Sequence, residues 1–386
     1  LFSREAAVAG NTKYIPTLTG WRAVSVVAVV LYHGRIGFFG DDSLLTSISA
    51  RGYMGVDVFF AISGFLICSL LLRESGRTGA IDLRRFYMRR CLRILPPYYV
   101  ALAVLALLGV MGVIRIRLLN VPSCLFFYRN LMPLGMDAHG DFYTAHFWSL
   151  AVEEQFYLLW PVLLLGLQAA RAARVALCLA LLSLFWKVLA GQFPLVSGIM
   201  PAPMSLLSHT DTILWGCLAA IYLPQLREWA GRLRCSQLWL PLLALLLGTQ
   251  ASHSPLLLPL SAVLLPALVL STVLQPGSWL GRVLEWPPLC WLGTLSYSIY
   301  LWQELFLPEL PSETARRGLH LLQHAPWNVW AILVCACASH YLVEMPASWL
   351  AQRLSALPRQ PGMQSGPFAV TQAPEIAADM VQRTGS

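Results

Sequence analysis

The stretch Trp21-Arg22-Ala23-Val24-Ser25-Val26-Val27-Ala28-Val29-Val30-Leu31-Tyr32-His33 decides the fold. It is a helix of valine, alanine and leucine that carries an arginine near one end and a histidine at the other. Eleven residues separate the two, an offset that at ~100° per residue returns to within about 20° of the same face, with a rise of roughly 16 Å. Ser25 and Val29 lie between them on that face. So apolar a helix belongs in a bilayer, where ionisable side chains are costly and face a protein interior or a watery cavity. A plainer alternative makes Arg22 a juxtamembrane anchor and leaves His33 among the headgroups.

The rest of the chain agrees with a membrane setting. Of 386 residues 57% are hydrophobic and 12% charged, about half the charged share of a soluble domain. Ten apolar stretches follow, at about 22–39, 54–73, 92–114, 147–168, 174–190, 209–224, 237–250, 255–274, 287–307 and 326–345. They are continuous and do not alternate, so the expected fold is an all-α polytopic membrane protein of about ten transmembrane helices. With a cytoplasmic N-terminus the inner segments hold 19 of the 27 lysines and arginines. That asymmetry predicts both termini inside. The net charge of +8 is thereby accounted for by topology, without a nucleic-acid partner. No cleavable signal peptide is expected, since residues 1–20 lack an apolar core. The nine cysteines have no C-x-x-C pair and predict neither a disulfide framework nor a metal site. The membrane domain is expected over 1–350 and a short disordered cytoplasmic tail over 351–386.

Polar residues recur at helical spacing in three more places. Gly55-Val56-Asp57-Val58-Phe59-Phe60-Ala61-Ile62-Ser63-Gly64-Phe65 opens the second span with a carboxylate, and Asp57, Ala61, Gly64 and Cys68 form a narrow face suited to close packing. Asp57 reads either as an interfacial acid favoured near a helix N-terminus or as a functional group. Residues 74–93 are expected to form an inner loop holding Arg85-Phe86-Tyr87-Met88-Arg89-Arg90, with Pro96-Pro97 kinking or restarting span three. These arginines satisfy the positive-inside pattern, and their forked donors also match phosphate oxygens. After a long outer loop over 115–145, His146-Phe147-Trp148-Ser149-Leu150-Ala151-Val152-Glu153-Glu154-Gln155-Phe156-Tyr157 places His146, Ser149, Glu153 and Tyr157 within about 80° of one another. Glu154 is expected to project away by roughly 100°. This face is either a functional acid with its helpers or a structural hydrogen-bond network. His209 and Asp211 fall at an outer boundary, where solvated loop ends are the bland expectation. Ser296, Tyr300 and Gln303 share a face of span nine.

Taken together, these motifs resemble the membrane-bound acyltransferase 3 family, O-acyltransferases of surface glycans, lipids and some small molecules. The residues that carry the resemblance are Arg22-x10-His33, the Gly55–Phe65 run, Phe86-x-x-Arg89-Arg90, the Phe147–Tyr157 run and Leu295-Ser296-Tyr297-Ser298-Ile299-Tyr300-Leu301-Trp302, in order along nearly the whole chain. Two departures stand out. Many relatives have histidine where this chain has Gln303, and no extracytoplasmic hydrolase-like domain is expected after the tenth span.

The resemblance implies acyl-CoA, with acetyl the first choice, as a co-substrate entering from the cytoplasm, and no permanently bound cofactor or metal. It implies a glycan or glycolipid acceptor of the envelope, or a macrolide-like metabolite, reached near the outer half of a bacterial inner membrane, with envelope-biosynthesis proteins as further partners. His33 becomes the general base that removes the acceptor's hydroxyl proton, a role suited to an ordinary imidazole titrating near ~6.5. Arg22 would hold the donor's polar arm or the developing negative charge. Arg85, Phe86, Arg89 and Arg90 would form the nucleotide-binding patch. Glu153 would orient or polarise a catalytic partner or bind the acceptor, with Asp57, Ser149, Tyr157, Asp211 and Tyr300 in support. A transporter or flippase of glycan precursors would also need intramembrane Arg, His and Glu, but more often shows repeat symmetry, and no repeat is found here.

Overall fold

A computed structural model describes residues 15–40, 43–117, 120–132, 142–192, 203–232, 237–252, 254–307 and 319–356. Among them every regular element is helical. The principal helices are α1 (Pro16–Phe39), α2 (Met54–Thr78), α3 (Leu83–Val110), α4 (Phe147–Gln192), α5 (Pro203–Ile221), α6 (Trp239–Ala251), α7 (Ser261–Leu274), α8 (Pro287–Thr294), α9 (Ser296–Phe306), α10 (Trp327–Ser339) and α11 (Met345–Ala356). Five helical segments among the described residues are long and apolar enough to cross a membrane: Pro16–Phe39, Leu44–Thr78, Leu83–Val110, Phe142–Leu189 and Trp327–Ser355. The chain is therefore a helical integral membrane protein, with no strand among the described residues.

The segment Phe142–Leu189 contains two of the expected stretches. Helical geometry breaks inside α4 at Gln168, which takes φ 59° and ψ 160°. The ring of Trp148, near the start of α4, lies 4.5 Å from that of His209. Lys187, near its end, bonds Asp211, two residues further along α5. Both arms thus return to the same level, and α4 is a helical hairpin whose arms match 147–168 and 174–190. By contrast α6 and α7 are 13 and 14 residues long, short of the ~20 an untilted span needs.

Two expectations change in the region before α3. The expected inner loop over 74–93 shrinks to residues 79–82. Gly79, left-handed at φ 73°, ends α2, and the Asp82 side chain caps α3 by accepting from the Arg85 amide at 3.0 Å. The arginines from 84 to 93 therefore ride on a helix. Nor does the proline pair restart it, because α3 runs unbroken through Pro96 and Pro97. Each proline removes one ladder donor, and beside them the Tyr297 hydroxyl donates to the Ile94 carbonyl at 2.9 Å.

Small residues set the closest packing, as expected where lipid offers no hydrophobic drive between helices. A methyl group on Gly64 would strike the Ile213 carbonyl oxygen, and one on Gly216 the Ala61 carbonyl oxygen, so α2 and α5 touch backbone to backbone. The narrow face read from Asp57, Ala61, Gly64 and Cys68 is this seam. Similarly, the backbone of α2 at Gly55 sits against Ser25 and Val29 of α1. At the far end of the chain α10 passes through a π-turn, His340–Glu344, into α11. That helix ends at Ala356, inside the stretch expected to be a tail, whose remainder lies outside the described residues. The loop residues 120–132 fold back onto the bundle, with Gln155 exchanging hydrogen bonds with Asn130 (2.9 and 3.2 Å) and donating to the Phe127 carbonyl (2.8 Å).

Candidate active site

Five helices, α1, α2, α3, α4 and α9, line a partly open cavity of about 110 Å³. One end is basic: Arg22 from α1 and Arg90 and Arg93 from α3 line it. The Arg90 guanidinium lies 3.5 Å from the centre of the Tyr157 ring, a cation–π contact, and its buried Nε has no hydrogen-bond partner. Glu153, also in the lining, accepts hydrogen bonds from the Tyr157 and Ser63 hydroxyls. The expected face of α4 is therefore real. The wheel misplaces Glu154, however, which lines the same cavity. With both arms of α4 packed on neighbours, the cavity wraps far enough around the helix to meet two successive residues.

Ser149 and Tyr300 line the cavity farther along these helices. Their hydroxyls lie 2.5 Å apart, and Tyr300 also donates to the His146 carbonyl at 2.9 Å. The ring of His146 stands 5.4 Å from that of Tyr300. Here α9 supplies the residue that sequence reading left without a role. Glu304, 2% exposed, places Oε2 at 2.6 Å from His146 Nδ1 and Oε1 at 3.5 Å from His33 Nε2. One buried carboxylate thus bridges two imidazoles brought from far apart in the chain. His146 is itself buried, and its Nε2 has no hydrogen-bond partner. His33 remains 18% exposed. Its Nε2 is turned to Glu304.

The route between Arg22 and His33 differs from the one the α1 wheel suggests. Gly55 of α2 covers the intervening Ser25 and Val29, so the connection runs through the cavity to Ser149 and Tyr300. Of the four residues expected to hold nucleotide phosphates, Arg90 alone lines the cavity. Arg85 donates to the Ser355 carbonyl of α11, Phe86 is buried in the core, and Arg89 is exposed near Arg85. Arg93, at the end of the 74–93 stretch, also lines the cavity.

Asp57 and Asp211 lie apart from this cavity, at the α2–α4–α5 contact. Asp211 is fully buried, against the expectation of a solvated loop end, and holds Lys187 through both oxygens at 2.7 and 2.9 Å. Asp57 sits in the first turn of α2, as read, and feels the charges of Lys187 and Asp211. No group of three or more metal-ligating side chains occurs among the described residues.

Comparison with known proteins gives this geometry a family. Residues 15–348 match the model of an acyltransferase domain family, and the chain belongs to that family. Among named relatives, the peptidoglycan O-acetyltransferase OatA of Listeria monocytogenes is 29% identical over 366 residues, covering 87% of this chain and 55% of its own. YrhL of Bacillus subtilis, named as a candidate peptidoglycan O-acetyltransferase, is 30% identical over 361 residues, 86% of this chain and 55% of its own. A candidate O-acetyltransferase of Staphylococcus aureus is 30% identical over 321 residues, 75% and 50% respectively. The chain spans about half the length of these relatives. No solved structure matches it.

Proposed function

We propose that this membrane acyltransferase moves an acetyl group from cytoplasmic acetyl-CoA to a hydroxyl of an envelope glycan or lipid-linked sugar, with His33 as the general base. The observation that carries the reading is the continuity of the site. A cavity lined by three arginines at one end leads to the Tyr300–Ser149 pair, against which the His33–Glu304–His146 bridge is packed. The names of the relatives support the acetyl donor and the glycan acceptor.

In this reading Arg22, Arg90 and Arg93 bind the phosphates and polar arm of the donor from the cytoplasmic side, and the thioester threads toward Tyr300. The acceptor oxygen attacks the thioester carbonyl as its proton passes to His33 Nδ1. Glu304 fixes the ring through Nε2 and offsets the positive charge the ring acquires, the ordinary task of a carboxylate behind a catalytic histidine. Collapse of the intermediate expels the CoA thiolate, which recovers the proton. The bilayer is that of a bacterial inner membrane with both termini cytoplasmic, and proteins of envelope biosynthesis deliver or receive the glycan.

The test is direct. Purified full-length chain in lipid nanodiscs, given acetyl-CoA and de-O-acetylated glycan strands, should release CoA thiol and yield strands heavier by one acetyl per modified unit in mass spectrometry. Intact thioester under these conditions, together with unchanged envelope glycans in cells lacking the gene, would sink the reading.

A further inference from the structure

Gln303 is fully buried, at 0% exposure, yet neither its Oε1 nor its Nε2 has a hydrogen-bond partner. A carboxamide carries two donors and two acceptor lone pairs. Leaving them unmet in an apolar interior is unfavourable, and an apolar side chain of similar volume would avoid the penalty. A buried polar group kept under those conditions points to a partner that arrives from outside the protein.

Its position says which partner. Ser296 and Gln303 are seven residues apart on α9 and lie within about 20° of one another, with Tyr300 about 40° from Ser296. Ser296, Tyr297 and Tyr300 line the cavity, and Gln303 lies at the edge of that face of α9, just outside the lining and roughly 4.5 Å beyond Tyr300 along the axis. The next residue is Glu304, which holds His33 and His146. Gln303 therefore stands at the level where the donor cavity gives way to the imidazoles.

We propose that the Gln303 carboxamide is a catalytic hydrogen-bond donor to the oxyanion formed at the thioester carbonyl. This inference rests on the acetyl-transfer reading above. As the acceptor oxygen bonds to the carbonyl carbon, the π pair moves onto the carbonyl oxygen and the hydroxyl proton passes to His33. Gln303 Nε2 donates to that oxygen until the pair returns and the C–S bond breaks, releasing CoA thiolate to be protonated by His33. A neutral donor suits the place, because it stabilises the transient negative charge without competing with the imidazoles for Glu304. Fixed donors in a water-excluded site act mainly on the transition state.

The experiment compares wild type with Gln303→Met and Gln303→Leu, as full chains in nanodiscs, using acetyl-CoA and de-O-acetylated glycan strands. A donor role lowers kcat by about 10²–10³-fold while both KM values stay within about twofold. Thermal stability then holds or rises, since an unpaired buried amide has been removed. Three results overturn the proposal: kcat within about threefold of wild type, a raised KM for the glycan strands with kcat kept, or activity and Tm falling together in both variants. Absence of acetyl transfer by the wild-type chain overturns the underlying reading, and this inference with it.

Discussion

Among the described residues two glutamates pair with histidine, and they do it differently. Glu344 meets His340 four residues away in the same π-turn, Nδ1 to Oε2 at 2.9 Å, and the Ser298 hydroxyl donates to the same oxygen at 3.3 Å. Glu304 meets two histidines from elsewhere, His33 of α1 and His146 at the entry to α4. The Glu344 pair is local, and its carboxylate already has a second donor. The Glu304 bridge forms only when three elements have assembled, and it leaves His146 Nε2 without a partner, while the amide of Gln303, the residue before Glu304, also has none. Satisfied networks hold structure, whereas unsatisfied ones near a cavity invite chemistry. On the acetyl-transfer reading, the first pair is support and the second takes part in the reaction.

The severest test is His33→Ala. Removing the general base should lower kcat by about 10²–10⁴-fold, with acetyl-CoA affinity retained. A wild-type rate would pass the role to His146. Glu304→Gln should come next, costing about 10²-fold in kcat. It should also destabilise the fold by roughly 3–5 kcal/mol, read as a lower Tm, because the buried pair loses its charge. If Glu344→Gln proved equally damaging to kcat, the distinction between the two networks would collapse.

At the arginine end, Arg90→Gln and Arg93→Gln should each raise the KM for acetyl-CoA by about tenfold, the value of one lost charge-assisted contact. Arg89→Gln, at a residue outside the cavity lining, should leave it within about twofold. Equal effects at positions 89, 90 and 93 would mean that a diffuse basic field binds the donor. The mildest outcome is expected of Glu344→Gln itself: kcat within about threefold, and a stability loss of about 1–3 kcal/mol from a weakened buried hydrogen bond.

What could be read in advance followed the range of the interactions. Apolar runs and glycine spacing are local, so the helices and the α2–α5 seam were legible from Asp57, Ala61, Gly64 and Cys68. The face of His146, Ser149, Glu153 and Tyr157 was legible for the same reason. Glu304 was not. It follows Tyr300 and Trp302 in a stretch that reads as an interfacial belt, and its partners lie 271 and 158 residues away. Helical phase also cannot say how far a cavity wraps around a helix, which is why Glu154 was misjudged. The arginines were found as a group, but the sorting of Arg90 and Arg93 from Arg85 and Arg89 depends on where α3 begins. The Asp82 cap fixes that start.

Lys187 and Asp211 lie on segments that leave the ribosome one after the other. Until α5 is synthesised, the ammonium sits near the end of an apolar hairpin arm with no counter-charge. Lodging a lysine at a span's centre costs roughly 2.5–3.5 kcal/mol, and less toward its end. The second arm of α4 and α5 should therefore enter the bilayer as a coupled unit during biogenesis. Glycosylation mapping of nascent chains truncated just before and well after Asp211 would reveal this as a jump in the arm's insertion efficiency. Equal efficiency at both lengths would show that the arm inserts alone and that the ion pair serves only the finished protein.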